Sequence, residues 1–263
     1  MVDAEEGRLS TGVPYLRLGH GPPLLVAAGL SPQHRSPHGM MRRMALGWAA
    51  PFAEHFTVYL VNRRPGLEPG STMSDIAADY ASAIENDLGA PAMVHGTSTG
   101  GSVTLQLAVD RPDLVRRLVL GSSACRLSPY GRHVQAEVLR HTQAGDPRRA
   151  AAVLADAMAP GPLAYPARGV GWIAGGLMPA GSPDMMATIA AEDAFDAEPH
   201  LDRVTAPTLV LGGTRDPFYS DDLFRLTAAG VQDGHVVMFG GKTHGWVAGS
   251  KVPAAIALGF LLG

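Results

Sequence analysis

A chain of 263 residues with 46% hydrophobic and 17% charged residues can bury a large core, which excludes an intrinsically disordered protein. The formal net charge of -3 provides no basic surface for nucleic acid or for an anionic membrane, so neither is an expected partner. The length by itself allows one domain with an insertion or two small domains.

Cysteine content and the two ends of the chain bear on its location. Cys125 is the only cysteine, so there is no internal disulfide and no pair of thiolates for a metal. The acidic residues 1–6 lack the basic and then apolar stretch of a secretory signal. The longest apolar run, residues 252–262, is shorter than the roughly 20 residues that cross a bilayer. We expect a cytoplasmic protein without a membrane span.

Short apolar runs alternate along the chain with stretches of helical spacing. The runs predict strands, most of them apolar throughout, as in strands buried on both faces of a sheet. They are residues 13–18, 24–28, 57–61, 92–95, 114–120, 208–212 and 235–239. Helices are predicted at residues 39–54, 74–88, 103–109, 220–229 and 246–262. For the second of these helices, Ser74 is the expected N-cap.

Residues 126–203 have a different character, being rich in Ala, Met and Pro with no strand pattern. Helical patches occur there at about residues 131–143, 147–158 and 184–195. We therefore expect a core formed by residues 1–125 and 204–263, with residues 126–203 inserted as a helical lid. The fold class is α/β, with a doubly wound, mostly parallel sheet of about seven or eight strands and right-handed crossovers.

The run at residues 92–95 leads into Gly96-Thr97-Ser98-Thr99-Gly100, which matches the G-x-S-x-G nucleophile elbow. Glycines flank the serine in that motif because the tight turn from strand to helix leaves no room for side chains. An ordinary glycine-rich turn is the alternative. A strand before the motif and a helix after it favour the elbow, where the helix dipole stabilises negative charge developing near Ser98.

A serine hydroxyl needs a base within about 3 Å, and histidine is the usual one. His244 follows the last strand directly, so its side chain can reach back over the edge of the sheet. His235 begins that strand and lies at the opposite end, and His95 is expected to be a packed strand residue. His34 and His38 are close enough to the predicted site to line a pocket.

A carboxylate must orient the imidazole of the base. Asp216 follows the penultimate strand at the correct edge of the sheet, and the chain order Ser, Asp, His is the order expected for this fold. Asp221 and Asp222 are competitors whose positions are typical of helix N-terminal caps. We predict Ser98 as nucleophile, with His244 as base and Asp216 behind it.

Stabilising an oxyanion requires two backbone amides. The amide of Thr99, directly after the nucleophile, is predicted to supply one. The second should come from the loop after the first buried strand, and Leu30 is the geometric choice.

Three segments together resemble the α/β-hydrolase superfamily, and in particular its compact esterases and enol-lactonases with a helical lid. They are residues 94–101, 206–217 and 244–245, in the family's usual order. The resemblance covers nearly the whole chain outside the predicted lid. It implies ester hydrolysis through an acyl-enzyme and no cofactor. Serine at the elbow disfavours the epoxide-opening and dehalogenating members, which use aspartate there.

The chain departs from the family pattern in three places. Ala28-Gly29 stands where His-Gly is common, so the loop must be held in another way. Asn62-Arg63-Arg64-Pro65-Gly66 replaces Asp-x-Arg-Gly after the next strand. The N-terminus is short, which suggests that the first antiparallel strand of the family is missing.

These observations predict a carboxylesterase for small or medium, fairly apolar esters. Lactone hydrolysis, hydrolysis of a carbon–carbon bond, cofactor-free peroxide chemistry and a non-catalytic ligand receptor remain alternatives. Residues expected to contact substrate are Gly29, Phe218, Trp246, Met158 and Met178. No metal site is expected. Apolar lid residues, among them Trp172, Ile173 and Met185, could form lid core, acyl pocket or a homodimer contact.

Overall fold

The computed structural model describes residues 3–159, 163–176 and 181–263. Within these residues, eight strands form one sheet in the spatial order β1-β2-β4-β3-β5-β6-β7-β8. The strands are β1 (Glu5–Arg8), β2 (Pro14–Leu18), β3 (Pro23–Ala27), β4 (Thr57–Val61), β5 (Ala92–Thr97), β6 (Val115–Gly121), β7 (Thr208–Gly213) and β8 (Gly234–Phe239). Strand β2 pairs antiparallel with both β1 and β4, and all other pairs are parallel.

Helices cover both faces of this sheet. They are α1 (Gly39–Ala53), α2 (Met73–Ala83), α3 (Thr99–Asp110), α4 (Pro129–Gln143), α5 (Pro147–Met158), α6 (Ala164–Gly175), α7 (Pro183–Asp193), α8 (Asp221–Gly230), α9 (His244–Gly249) and α10 (Lys251–Leu262). Neighbouring strand residues face opposite cores: Leu25 packs with α2, α3 and α8, whereas Leu24 packs with α1 and α10. The predicted doubly wound, mostly parallel sheet is confirmed.

Strand β1 corrects the expectation that the first antiparallel strand is missing. Its sequence, Glu5-Glu6-Gly7-Arg8, has no apolar alternation, because an edge strand needs no buried face and charge there discourages pairing with other chains. Glu5 pairs with Arg17 of β2, and Glu6 pairs with Arg42 of α1 at 2.9 Å. Charged pairs with neighbouring elements thus replace the hydrophobic signal that identifies the other strands.

Three helices differ from those predicted, and one of them, α3, begins at Thr99 rather than at residue 103. The N-cap of α2 is Thr72 rather than Ser74, because Thr72 and Asp75 form a reciprocal capping box. This helix continues through a π-helical turn, Ile84–Leu88, before Gly89 ends it. The final helix is two helices, since Ser250 adopts an extended conformation between α9 and α10.

Helices α4 to α7 lie between β6 and β7, and we call them the helical insertion. Sequence patterning identifies three of these helices and misses α6. Gly171 and Gly175 of α6 approach α5 so closely that a Cβ would collide with the backbone of Ala151 and Pro147. Close packing therefore stabilises a helix that its glycines disfavour. Its other side exposes large apolar side chains, including Tyr165, Val170 and Ile173.

Candidate active site

Ser98 lies at the turn between β5 and α3, and its backbone has φ 54° and ψ -127°. A residue other than glycine rarely adopts a positive φ, so this turn is strained, as a nucleophile elbow is. A Cβ on Gly96 would collide with Thr104 and one on Gly100 would collide with the carbonyl oxygen of Ala27. The two glycines of the motif are therefore required by close packing.

Three side chains from separate parts of the chain meet above this turn. His244 Nε2 lies 3.0 Å from Ser98 Oγ, and His244 Nδ1 lies 2.8 Å from Asp216 Oδ2. Because a carboxylate only accepts, Nδ1 carries the proton and Nε2 is free to accept the hydroxyl proton of Ser98. The side chain of Asp216 is fully buried, and its Oδ1 accepts hydrogen bonds from the amides of Phe218 and Tyr219. Each carboxylate oxygen thus has a partner.

Two aromatic rings pack on the imidazole of His244, and a hydroxyl holds its backbone. The Phe218 ring packs edge-on at 4.9 Å between centroids, and the Tyr219 ring stacks nearly parallel at 6.2 Å. Ser122 Oγ donates to the His244 carbonyl at 2.9 Å. Burial, and then the nearby charge of Glu192, raise the pKa of Tyr219 well above its ordinary value, so this ring stays neutral.

The backbone amides of Thr99 and Leu30, the predicted oxyanion donors, have no acceptor within the part of the chain that the structure describes. Thr99 opens α3, where the amides of the first turn lack helical partners. Leu30 follows β3, and its side chain packs with the apolar cluster of the helical insertion. Gly29 lies beside the nucleophile, since a Cβ on it would lie 3.4 Å from Ser98 Cβ.

The loop after β3 is held by the side chain of Arg63, which is fully buried. Its guanidinium donates to the carbonyls of Ala28 and Gly29, at 3.0 Å each, and to Ser31 Oγ at 3.3 Å. Its Nε donates to His34 Nε2 at 3.1 Å. Two of the departures from the family pattern are therefore connected. Arg63, in the altered segment after β4, holds the loop after β3, in which Ala28-Gly29 stands in place of the usual His-Gly.

His34 lies beneath the loop and not on a pocket wall. Because Nε2 accepts from Arg63, Nδ1 carries the proton and donates to the Arg64 carbonyl at 3.0 Å. Burial, and then the positive charge of Arg63, lower the pKa of His34 to about 4. The imidazole is therefore neutral at physiological pH and serves the loop as a hydrogen-bond partner.

Sequence comparison decides the family. Residues 16–257 match the model of the Alpha/beta hydrolase family, which is most of the chain. The chain belongs to that family. The sequence-based resemblance to this superfamily is confirmed, and the eight-stranded order with a helical insertion after β6 is its fold.

Individual relatives of this alpha/beta hydrolase are more distant. A protein of Variovorax paradoxus (strain S110) named "Putative carbamate hydrolase RutD" is 29% identical over 185 residues, covering 68% of this chain and 69% of that protein. The enol-lactonase from Burkholderia xenovorans LB400 has a TM-score of 0.79 at 17% identity, covering 98% and 100% of the two chains. The esterase from Exiguobacterium antarcticum has a TM-score of 0.75 at 15% identity, covering 99% and 100%.

The remaining expected contact residues separate into two groups. Phe218 packs on His244, and Met158 Cε would lie 3.3 Å from a Cβ on Gly245, so both are close to the base. Trp246 is placed elsewhere: its ring packs on Phe239 and beneath the Lys242 ammonium, with the core on the α1 and α10 face. It points there because its position on α9 faces the sheet. Met178 lies outside the described residues.

The other histidines and carboxylates that competed for the site lie apart from the Ser98 hydroxyl. His95 packs edge-on against Trp48 at 5.2 Å, and His235 bonds to Asp233. Asp221 and Asp222 occupy the first turn of α8, whose N-cap is Ser220.

Four residues of the site region escaped the sequence analysis: Arg63, Ser122, Glu192 and Tyr219. Arg63 stood inside a segment that departed from the family pattern, and that departure was the signal that could have identified it. The others carry no local motif. Among the described residues, no group of His, Cys, Asp and Glu side chains could hold a metal ion, and no helix is long and apolar enough to span a membrane.

Proposed function

We propose that this alpha/beta hydrolase is a serine carboxylesterase that cleaves small to medium, apolar esters through an acyl-enzyme. The observation that carries the proposal is the continuous chain of short contacts from Ser98 Oγ through His244 to Asp216. A hydroxyl, a neutral imidazole and a buried carboxylate in this order convert an inert serine into a nucleophile.

The reaction then follows from the positions of these groups. Ser98 Oγ attacks the ester carbonyl while its proton moves to His244 Nε2, and Asp216 stabilises the resulting imidazolium. The Thr99 and Leu30 amides donate to the oxyanion. His244 next protonates the leaving alcohol, and the acyl-enzyme forms. A water deprotonated by His244 releases the acid and restores Ser98.

The residues around the nucleophile favour a substrate without charge. Leu30, Phe218 and Met158 are apolar, and the nearby guanidinium of Arg63 is fully buried with its donors directed at the loop. An anionic substrate would therefore find no exposed partner among these groups. We assign the helical insertion, within residues 126–203, the role of a lid over the core formed by residues 1–125 and 204–263, and place the reaction in the cytoplasm.

A second candidate is carbamate hydrolysis, which needs the same groups and passes through a carbamoyl-enzyme. Water then releases a carbamic acid, which breaks down to an amine and carbon dioxide, in place of a carboxylic acid. This candidate is favoured by the similarity to a protein named as a carbamate hydrolase over 68% of the chain. Lactones are a further variant of the ester chemistry. Rates on a 4-nitrophenyl ester, the matching N-alkyl carbamate and a lactone of equal carbon count rank the three.

Replacing the nucleophile tests the proposal. Ser98→Ala should lower ester hydrolysis at least about 10⁴-fold, because residual rates in such sites come only from binding and the oxyanion donors. Ser74→Ala, at an exposed serine of α2, is the matched control and should keep full activity. A fluorophosphonate should label the wild type once, at Ser98. An unlabelled wild type without turnover would indicate a ligand receptor instead.

A further inference from the structure

Glu192 of α7 is a carboxyl group buried in the helical insertion, with 1% of its surface exposed. It forms no salt bridge with any described residue, which makes its burial costly unless hydrogen bonds replace water. Oε2 accepts from Thr99 Oγ1 and Gln135 Nε2, both at 2.8 Å. Oε1 accepts from Ser102 Oγ at 2.9 Å and from Tyr219 OH at 3.4 Å. Four donors surround the carboxylate.

These donors link the insertion to both halves of the candidate site. Thr99 and Ser102 lie in the first turn of α3, and the Thr99 amide is one of the two proposed oxyanion donors. Tyr219 stacks on His244 and donates its own amide to Asp216. Gln135 belongs to α4, so it ties a second helix of the insertion to the same carboxylate. Glu192 therefore contacts residues next to the nucleophile and next to the base.

We propose that Glu192 is a positioning residue which, through the Thr99 hydroxyl, fixes the Thr99 amide as one half of the oxyanion hole. The inference rests on the proposed esterase function. A hydrogen bond to a carboxylate is short and stronger than a neutral one, so it restricts the rotamer of Thr99. Restricting that side chain restricts the first peptide of α3, whose amide must point at the reacting oxygen to stabilise charge.

If Glu192 were only a structural anchor for the insertion, its replacement would give a different kinetic result. Losing an anchor lowers the stability and the fraction of active molecules, whereas losing a positioning contact lowers kcat of each active molecule. Titrating active sites with a fluorophosphonate separates the two, because kcat is then counted per reactive Ser98. The split between kcat and KM adds a second criterion, since the oxyanion forms only after substrate has bound.

The experiment is a double-mutant cycle on the Glu192 to Thr99 contact. Glu192→Gln keeps the shape and removes the charge, and Thr99→Val removes the hydroxyl but keeps the amide. Each variant should lower kcat per titrated site about tenfold and change KM less than about twofold. This loss is smaller than the 10²-fold or more that follows deletion of an oxyanion-hole donor. The double variant should lose no more than either single one. Thr99→Ser, which keeps the hydroxyl, should lose less than Thr99→Val.

Ser102→Ala is the matched control, because it removes a donor to the same carboxylate without touching Thr99. It should lower stability and change kcat less than about twofold. The inference is overturned if Glu192→Gln keeps wild-type kcat per titrated site, if the two effects multiply, or if Ser102→Ala loses as much kcat. If Glu192→Gln does not fold, the comparison of Thr99→Val with Thr99→Ser replaces it. A loss of kcat in Thr99→Val that Thr99→Ser does not show supports the inference, and equal kcat values in the two variants overturn it. A wild type that neither turns over nor labels rejects the proposed function itself.

Discussion

The two segments proposed to supply the oxyanion amides, at Leu30 and Thr99, are held by buried charges of opposite sign from different parts of the molecule. The loop that carries Leu30 is bound by the guanidinium of Arg63, which follows strand β4 of the sheet. Thr99 is bound by the carboxylate of Glu192, which belongs to the helical insertion. A cation holds carbonyl oxygens in one half, and an anion holds hydroxyl groups in the other.

The two halves depend on the helical insertion to different degrees. The Arg63 half, which we call the core half, is hydrogen-bonded mainly within the core and reaches α7 through Thr188 Oγ1, 3.3 Å from His34 Nε2. The Glu192 half, which we call the insertion half, is complete only when α7 contacts α3. Both charges lack an oppositely charged contact partner among the described residues, so each depends on every one of its hydrogen bonds. The insertion therefore contacts residues that flank the nucleophile and the base.

The largest effect is expected from removing the cation of the core half. Arg63→Met leaves the carbonyls of Ala28 and Gly29 without these donors and opens a gap beneath the loop, so we expect a loss of about 3 kcal/mol of unfolding free energy. With the loop released, kcat should fall about 100-fold. Arg64→Met is the control, because Arg64 makes a partly exposed pair with Asp79 that is worth less than about 1 kcal/mol. Urea unfolding measures the change in stability, and ester kinetics measure the change in kcat. Equal effects of Arg63→Met and Arg64→Met would contradict a specific role of Arg63 in the core half.

The core half should also be sensitive to acid. Since the pKa of His34 is about 4 in the folded chain, the unfolded chain takes up a proton first as the pH falls below 6.5. Stability contributed by neutral His34 is thus present above this window, falls from pH 6.5 towards 4 and levels off below it. His95, with a pKa also lowered to about 4 by burial, adds to the same loss.

His34→Gln isolates the share of His34, because glutamine can accept from Arg63 without titrating. Between about pH 7 and about pH 4.5, the variant should lose less unfolding free energy than the wild type, by an amount set by the shifted pKa. Urea unfolding at both pH values measures the difference. Identical losses would show that His34 is not the acid-sensitive partner of this half.

The smallest effect is expected from a contact that docks α7 on the core without involving Thr99. Asp184 begins α7 and accepts from the amides of Gly66 and Leu67, both at 2.8 Å, so it docks the same helix that carries Glu192. Asp184→Asn weakens these bonds and should cost about 1 kcal/mol in urea unfolding. Its kcat should equal that of the wild type. A tenfold loss would mean that docking of α7 in general, and not the Glu192 contact, supports Thr99.

Much of this arrangement was predictable because its determinants are local. Parallel strands buried on both faces are apolar throughout, so their positions along the chain could be predicted directly. The glycines around Ser98 mark a turn without space for side chains, and His244 and Asp216 each follow a strand directly. The structure brings these three side chains together, and their catalytic roles stay predictions.

What escaped prediction depends on long-range contacts or on edges. Thr99 and Glu192 are 93 residues apart, and nothing near either of them indicates the other. Arg63 was visible only as an unexplained departure from a family pattern. Strand β1 carries no apolar pattern because it is an edge. Helix α6 contains glycines that disfavour a helix until α5 packs against them.

A crystal structure of the protein with Ser98 phosphonylated by a small fluorophosphonate tests the paired support of the two amides most directly. The phosphonyl oxygen stands in for the oxyanion, so it should lie about 3 Å from both the Thr99 and the Leu30 amide nitrogens. The contacts of Arg63 with the loop and of Glu192 with Thr99 should be intact. A phosphonyl oxygen that bonds to neither amide, with both of these contacts in place, would contradict the arrangement.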